Sequence, residues 1–278
     1  MHLSLIITPR MAMKKFALYA LLLVTFCSCG EYQRVLKSTD ANVKFDYAQR
    51  AFEQKKYTQA STVLRDCVTE FKGTPKAEES LYLLAMSYFE NKDYVNSCAY
   101  FKLYYQRYPK GKYAELARYF CGYGYYLDSP EAQLDQSGTI KAIEELQAFL
   151  DYYPRSDRVT LAQTVIFELQ DKLTLKQLQN AQLYYNLGNY LGNNYESAVI
   201  VAKNAIKTYP YSKYKEELEM LVLKARYQEA AQSIDERKAD RFRDVIDEYY
   251  SFINNYPESP FREEADNIFK IAQRYVKD

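Results

Sequence analysis

The chain has 278 residues, 48% hydrophobic and 26% charged, with 37 Lys and Arg against 36 Asp and Glu. So even a balance offers no electrostatic footprint for nucleic acid. The sole histidine, His2, lies in a leader, which removes His-based catalysis and His–metal sites from the rest of the chain. No Walker loop and no Gly-x-Gly-x-x-Gly occurs, so an enzyme is not expected.

The leader occupies residues 1–28. Met13-Lys14-Lys15 precedes the apolar run Phe16–Phe26 and then Cys27-Ser28-Cys29-Gly30. A basic start, a short apolar core and a small-residue site describe a secretory signal rather than a membrane span, which needs about 20 apolar residues. Met13 begins a better leader than Met1. A Cys at this boundary resembles the lipobox of bacterial lipoproteins, and Cys29 is the expected acylated residue, with Cys27 the alternative. The only cofactor expected is covalent: diacylglycerol and an N-acyl chain on Cys29. Gly30 follows instead of the Asp that retains some lipoproteins at the inner membrane, so sorting rules imply an outer-membrane, periplasm-facing protein held by its lipid alone. Removing the leader takes away Arg10, Lys14 and Lys15 but no acid, leaving a net charge near −2. Residues 29–40 read as a lipidated tether.

From residue 41 the chain repeats one clause. Tyr94–Pro109 states it most cleanly: an aromatic opener, a small residue three or four on, an aromatic fourteen on, and proline at fifteen. Tyr195–Pro210 and Phe242–Pro257 repeat it, and Thr139–Pro154 does so with a weaker opener. Tyr57 opens a further copy whose Phe71 keeps its place while the proline slips to Pro75. Apolar residues fall at 0, 7, 11 and 14 from the opener, one stripe on a helix of about 22 Å. Ala60, Ser97, Ala142 and Ala198 are small, as close helix approach requires. Proline then stops the helix, and Gly111, Ser156, Ser212 and Ser259 are candidate caps for the next one. Each clause is therefore the second helix of a hairpin.

First helices are legible in Leu81-x-x-Leu84-Ala85-x-x-Tyr88 and Tyr184-x-x-Leu187-Gly188-x-x-Leu191. Together the halves resemble the tetratricopeptide repeat over residues 41–257. The fold expected is all-α: a tetratricopeptide-like α-solenoid of about five helical hairpins, with a capping helix from Ser259-Pro260 to about Tyr275. Residues 41–127 form the N-terminal repeats and residues 128–278 the C-terminal repeats and cap. The third copy carries an insertion near Asp128–Gly138, and the fifth lacks the Leu-Gly pair.

Outside the leader and Cys29, the cysteines are Cys67, Cys98 and Cys121, too dispersed for zinc and read as small buried residues. Tyrosine dominates the aromatics, with 30 Tyr and 14 Phe against no Trp. Most are packing residues. The remainder are assigned to a groove built by the first helices: Phe45, Gln49 and Phe52, then Tyr82, Met86 and Phe89, then Tyr119, Tyr123 and Tyr126. An aromatic groove with an adaptable Met suits an extended apolar peptide end. The alternative is that these rings pack between neighbouring hairpins.

In detail the chain resembles the BamD (YfiO) family of the β-barrel assembly machinery. The resemblance runs through Leu83-Leu84-Ala85-Met86-Ser87-Tyr88-Phe89, the Tyr-rich helix ending near Tyr126, and the insertion after Leu127-Asp128. It continues through Leu169-Gln170-Asp171-Lys172-Leu173, Ala181-x2-Tyr184-Tyr185 and Asn194-Tyr195-x2-Ala198. It implies a non-catalytic scaffold whose C-terminal repeats hold the periplasmic domains of BamA. Its N-terminal repeats would meet the aromatic-ended C-terminal segments of unfolded outer-membrane barrels. Arg226, Arg237, Lys238, Arg241 and Arg243 are the candidate partner contact, or else a solvated face paired with Asp235, Glu236, Asp240 and Asp244. A repeat lipoprotein coordinating envelope division or peptidoglycan synthesis is the alternative function.

Overall fold

The computed structural model describes residues 30–276, and the leader, Cys27 and Cys29 lie outside them. Regular structure among the described residues is helical throughout. In chain order the helices are α1 (Ala41–Glu53), α2 (Tyr57–Glu70), α3 (Lys76–Glu90), α4 (Tyr94–Arg107), α5 (Ala114–Asp128) and α6 (Ser137–Tyr152). There follow α7 (Val159–Leu187), α8 (Asn194–Thr208), α9 (Lys215–Ala231), α10 (Asp235–Asn255) and α11 (Arg262–Val276). They read as five helix–loop–helix hairpins and a final helix, the tetratricopeptide-like architecture expected. Four of the five clause openers lie at or near the start of a second helix; the fifth, Phe242, lies two turns inside α10, which begins at Asp235. The chain divides into two compact units at Gly124/Tyr125, three residues before the expected boundary.

In the first unit, Phe45, Tyr47, Ala48, Ala51, Ala60, Val63, Leu64 and Cys67 pack with Phe71, Ala77 and Leu84. The small positions sit where helices touch: Ala60 and Ser97 are wholly buried, and the Ser97 hydroxyl donates to the Ala85 carbonyl at 3.1 Å. Side-chain caps fix two helix starts, Asp40 accepting from the Asn42 amide and Asp93 from the Asn96 amide. The supposed tether is not loose. Residues 30–36 are helical, Val35 is buried in the same core, and Tyr32 stacks on Tyr47 with centroids 6.0 Å apart.

The Tyr-Pro ending has one geometry in four copies. Tyr108, Tyr153, Tyr209 and Tyr256 close their helices with φ between −126° and −136°. Each carbonyl then accepts from the amide of Gly111, Ser156, Ser212 or Ser259, at 2.9 to 3.3 Å. These four residues do not cap the following helix directly, as expected from the sequence. They lie three residues ahead of it, and each passes its own carbonyl to the helix start, at 3.1 to 3.3 Å. The serine hydroxyls accept from the amide two residues on instead: Ser156 from Arg158, Ser212 from Tyr214 and Ser259 from Phe261.

In the second unit α7 runs for 29 residues, about 44 Å. Ala181 joins Tyr195, Ala198, Val199 and Ala202 of α8 and Leu218, Leu221 and Val222 of α9 in one cluster. A second cluster gathers Met220 and Leu223 of α9, Phe242, Val245, Tyr249 and Phe252 of α10 and Ala265, Ile268 and Ala272 of α11. The final helix thus covers the last hairpin, as a cap must.

Candidate protein-binding surfaces

In the first unit the rings assigned to a groove divide. Phe45 is 3% exposed, edge-on to Phe71 with the Lys76 ammonium 5.6 Å from both rings, and it offers no surface. Tyr119 is also buried, against Phe120 and Tyr123. Helical spacing gives a residue its face; it does not tell whether the next helix covers that face. The half-buried set is Gln49, Phe52, Tyr82, Met86, Phe89 and Tyr123. Gln49 donates to Glu79 at 3.2 Å, and Phe52 packs edge-on to Tyr57. Tyr126 belongs to the second unit, where its hydroxyl donates to Glu168 at 2.7 Å.

Tyr82 and Phe89 anchor a continuous aromatic network. Tyr82 stacks on Tyr113 at 4.1 Å and meets Phe101 and Tyr104. Phe89 contacts Tyr94, Phe101, Phe120 and Tyr123. Such ring pairs add about 0.5–1.5 kcal/mol each beyond area burial. The network therefore holds rigid a face on which Tyr82, Met86 and Phe89 keep part of their surface exposed. Beneath it, Glu78 Oε1 accepts from the Tyr104 hydroxyl at 2.5 Å and from the Lys112 amide at 2.6 Å, and Tyr113 N donates to the Tyr104 oxygen at 3.0 Å. Burial, then the Glu78 carboxylate, raises the Tyr104 phenol above its ordinary pKa.

The three cysteines are buried. Burial pushes the Cys67 thiol up to about 12. Cys98 and Cys121, far apart in sequence, lie side by side, each thiol donating to the other's carbonyl, at 3.2 and 3.7 Å.

The basic cluster of the second unit also divides. Glu229, 7% exposed, is clasped by Arg226 at 2.9 Å and by Arg241 at 3.4 Å, and it accepts from Asn193 at 2.8 Å. Arg226 also pairs with Glu196, and Arg241 donates to Ser233 Oγ at 2.6 Å. Arg226 joins the last two hairpins to each other, and Arg241 ties the two helices of the last hairpin together. Lys238 and Arg243 pair within α10 with Asp235 and Asp240, and Arg237 is exposed. Those three keep surface open to solvent.

One surface was missed at the sequence level. Tyr184-x-x-Leu187-Gly188-x-x-Leu191 was expected to pack as a first helix. Instead the helix stops at Leu187, because Gly188 takes φ +55°. Leu183, Leu187, Tyr190 and Leu191 are exposed, Leu191 to 90%. A positive φ is not written in a pattern of apolar spacings.

Among the described residues no helix is long and apolar enough to cross a membrane, and no group of His, Cys, Asp or Glu is arranged to hold a metal. A family model described as an outer membrane lipoprotein, YfiO, matches residues 37–192, more than half of the chain. A search of curated proteins finds no match. The matched span takes in the aromatic network, the Tyr-Pro turns of the second and third hairpins and all of α7. A helical-hairpin array and this match converge: the chain belongs to the YfiO outer membrane lipoprotein family.

Proposed function

We propose that the protein is a non-catalytic scaffold of the outer-membrane β-barrel assembly machinery, acylated at Cys29 and facing the periplasm. It joins BamA, through exposed charges of the last hairpins, to unfolded barrel substrates received on the aromatic face of the first unit. The observation that carries this reading is the family match across the first unit and into the fourth hairpin. The half-exposed Tyr82, Met86 and Phe89 fit an apolar, aromatic-ended peptide, since stacking and dispersion reward such a ligand with little need for charge. Lys238 and Arg243 can exchange their intrahelical partners for a carboxylate on another protein at small cost, because exposed pairs are weak, and Arg237 is exposed beside them.

Affinity purification of the acylated protein from detergent-solubilised envelopes tests the scaffold role. A large barrel protein should co-purify, and depletion should lower many outer-membrane barrels together. Recovery of cell-wall synthases without a barrel subunit would overturn it. For the peptide face, Met86→Glu is the sharper probe, since Tyr82 and Phe89 also support the fold. It should weaken binding of aromatic-ended barrel peptides about tenfold or more with an unchanged urea midpoint. Equal affinity would remove the assignment.

A further inference from the structure

The acylated residue and the folded array are separated by almost nothing. Gly30 is already helical, and the segment 30–36 is fastened to the first hairpin along its length. Val35 is buried, Tyr32 stacks on Tyr47, and Glu31 pairs with Arg50 at 3.0 Å. One peptide bond spans 3.8 Å between Cα atoms. A loose linker over residues 29–40 would instead average about 18 Å and reach about 36 Å at full stretch. The headgroup zone of one leaflet is only about 5–8 Å deep.

We propose that the first hairpin is docked directly on the bilayer in a fixed orientation, with phospholipid headgroups seated in a cleft beside Gly30. The cleft measures about 530 Å³ and is lined by Glu31, Arg34, Val35, Ser38, Val43 and Arg50. Arg34 folds back on the start of the segment, its Nε donating to the Gly30 carbonyl at 3.2 Å, so its guanidinium sits beside the residue that follows the anchor. Arg34 and Arg50 outnumber Glu31 in its lining, all three exposed, and a headgroup phosphodiester is the anion that the acyl chains bring within reach. Val35 and Val43 give the cleft an apolar floor suited to the glycerol backbone. This inference rests on acylation at Cys29 from the proposed function.

The test uses the acylated full chain in vesicles of phosphatidylethanolamine and phosphatidylglycerol. Gln33→Cys carries an environment-sensitive fluorophore, the native Cys67, Cys98 and Cys121 being buried. Quenching by a headgroup nitroxide is compared with that of a variant carrying a ten-residue Gly/Ser spacer between Cys29 and Gly30. Quenching at least threefold stronger without the spacer is expected. Arg34→Gln/Arg50→Gln should about halve it while leaving the urea midpoint in place. An acylated chain, verified by mass, with equal quenching in both forms overturns the docking and leaves the anchor standing. Full quenching in the double Gln variant removes the headgroup site. A chain without the acyl mass overturns the anchoring reading and this one with it.

Discussion

At Glu78 one carboxylate oxygen serves two donors from beyond a turn, the Tyr104 hydroxyl and the Lys112 amide. The arrangement explains why Gly111 stands where the other three turns have serine. A Cβ at 111 would meet Glu78 Oε1 at 2.6 Å and the Tyr104 oxygen at 2.9 Å. Equivalent positions to Tyr104 are Phe149, Ala205 and Phe252, which bring no hydroxyl. Glu78→Ala should cost about 1–3 kcal/mol, since two donors lose their acceptor, read from urea unfolding of the mature protein. A change no larger than that of exposed Glu144→Ala would refute the role. Glu229 makes the stronger case. Removing it takes a carboxylate from two partly buried guanidinium groups, leaving Arg226 with Glu196 and Arg241 with Ser233, so Glu229→Ala should cost about 3 kcal/mol. Arg237→Ala should leave the unfolding midpoint unmoved and lower only partner affinity. None of this partnering was legible in sequence: the charges of α9 and α10 were visible, but which carboxylate becomes enclosed depends on how closely the two helices approach.

Among the elements, the first four second helices could be read almost to the residue, while the last begins at Asp235, two turns before its opener Phe242. Their apolar stripe, small contact residue and terminal Tyr-Pro are three independent signals that agree. The first helices carry fewer. No Pro or Gly interrupts residues 159–187, and α7 accordingly continues as one rod until Gly188. There the backbone adopts φ +55° and ψ −122°, a conformation open to little but glycine. A Cβ would also lie 2.8 Å from the Tyr195 hydroxyl oxygen. Gly188→Ala should therefore destabilise by about 1–3 kcal/mol, measurable as a lowered thermal midpoint. A neutral result would mean that the loop at 188–193 relaxes freely. Leu191, at φ +55° and almost wholly in solvent, shows that this loop already holds one residue in a costly conformation.

The molecule as a whole depends on tyrosines that fold neutral. Burial raises the phenols of Tyr47, Tyr88, Tyr104, Tyr185 and Tyr209, and lifts Tyr256 to about 12. The unfolded chain releases those protons near the ordinary value of 10.0. Their contribution to stability is thus complete below about pH 10 and is lost as pH rises toward the folded-state values. The urea midpoint should be level from pH 8 to 9.5 and fall steeply between pH 10 and 12. Absorbance at 295 nm should show part of the tyrosine ionising only as the chain unfolds. A midpoint at pH 11.5 equal to that at pH 8 would contradict this. The tyrosine surplus was plain in the composition. Its division into buried hydroxyls and partly open rings was not, because that depends on which neighbouring helix lies over each ring.

The clasp between Glu78 and the turn at Lys112 also governs how the array can be dissected. The prolines look like natural scissors marks, yet a fragment ending at Pro109 would forfeit the Lys112 amide and the Tyr113 ring that lies against Tyr82. Its last hairpin would be left with an acid short of one donor and a bared aromatic flank. The first compact unit accordingly runs on to Gly124, taking in the opening turns of the next hairpin. Modularity here is staggered: the sequence repeats in one frame, and the compact units begin and end in another.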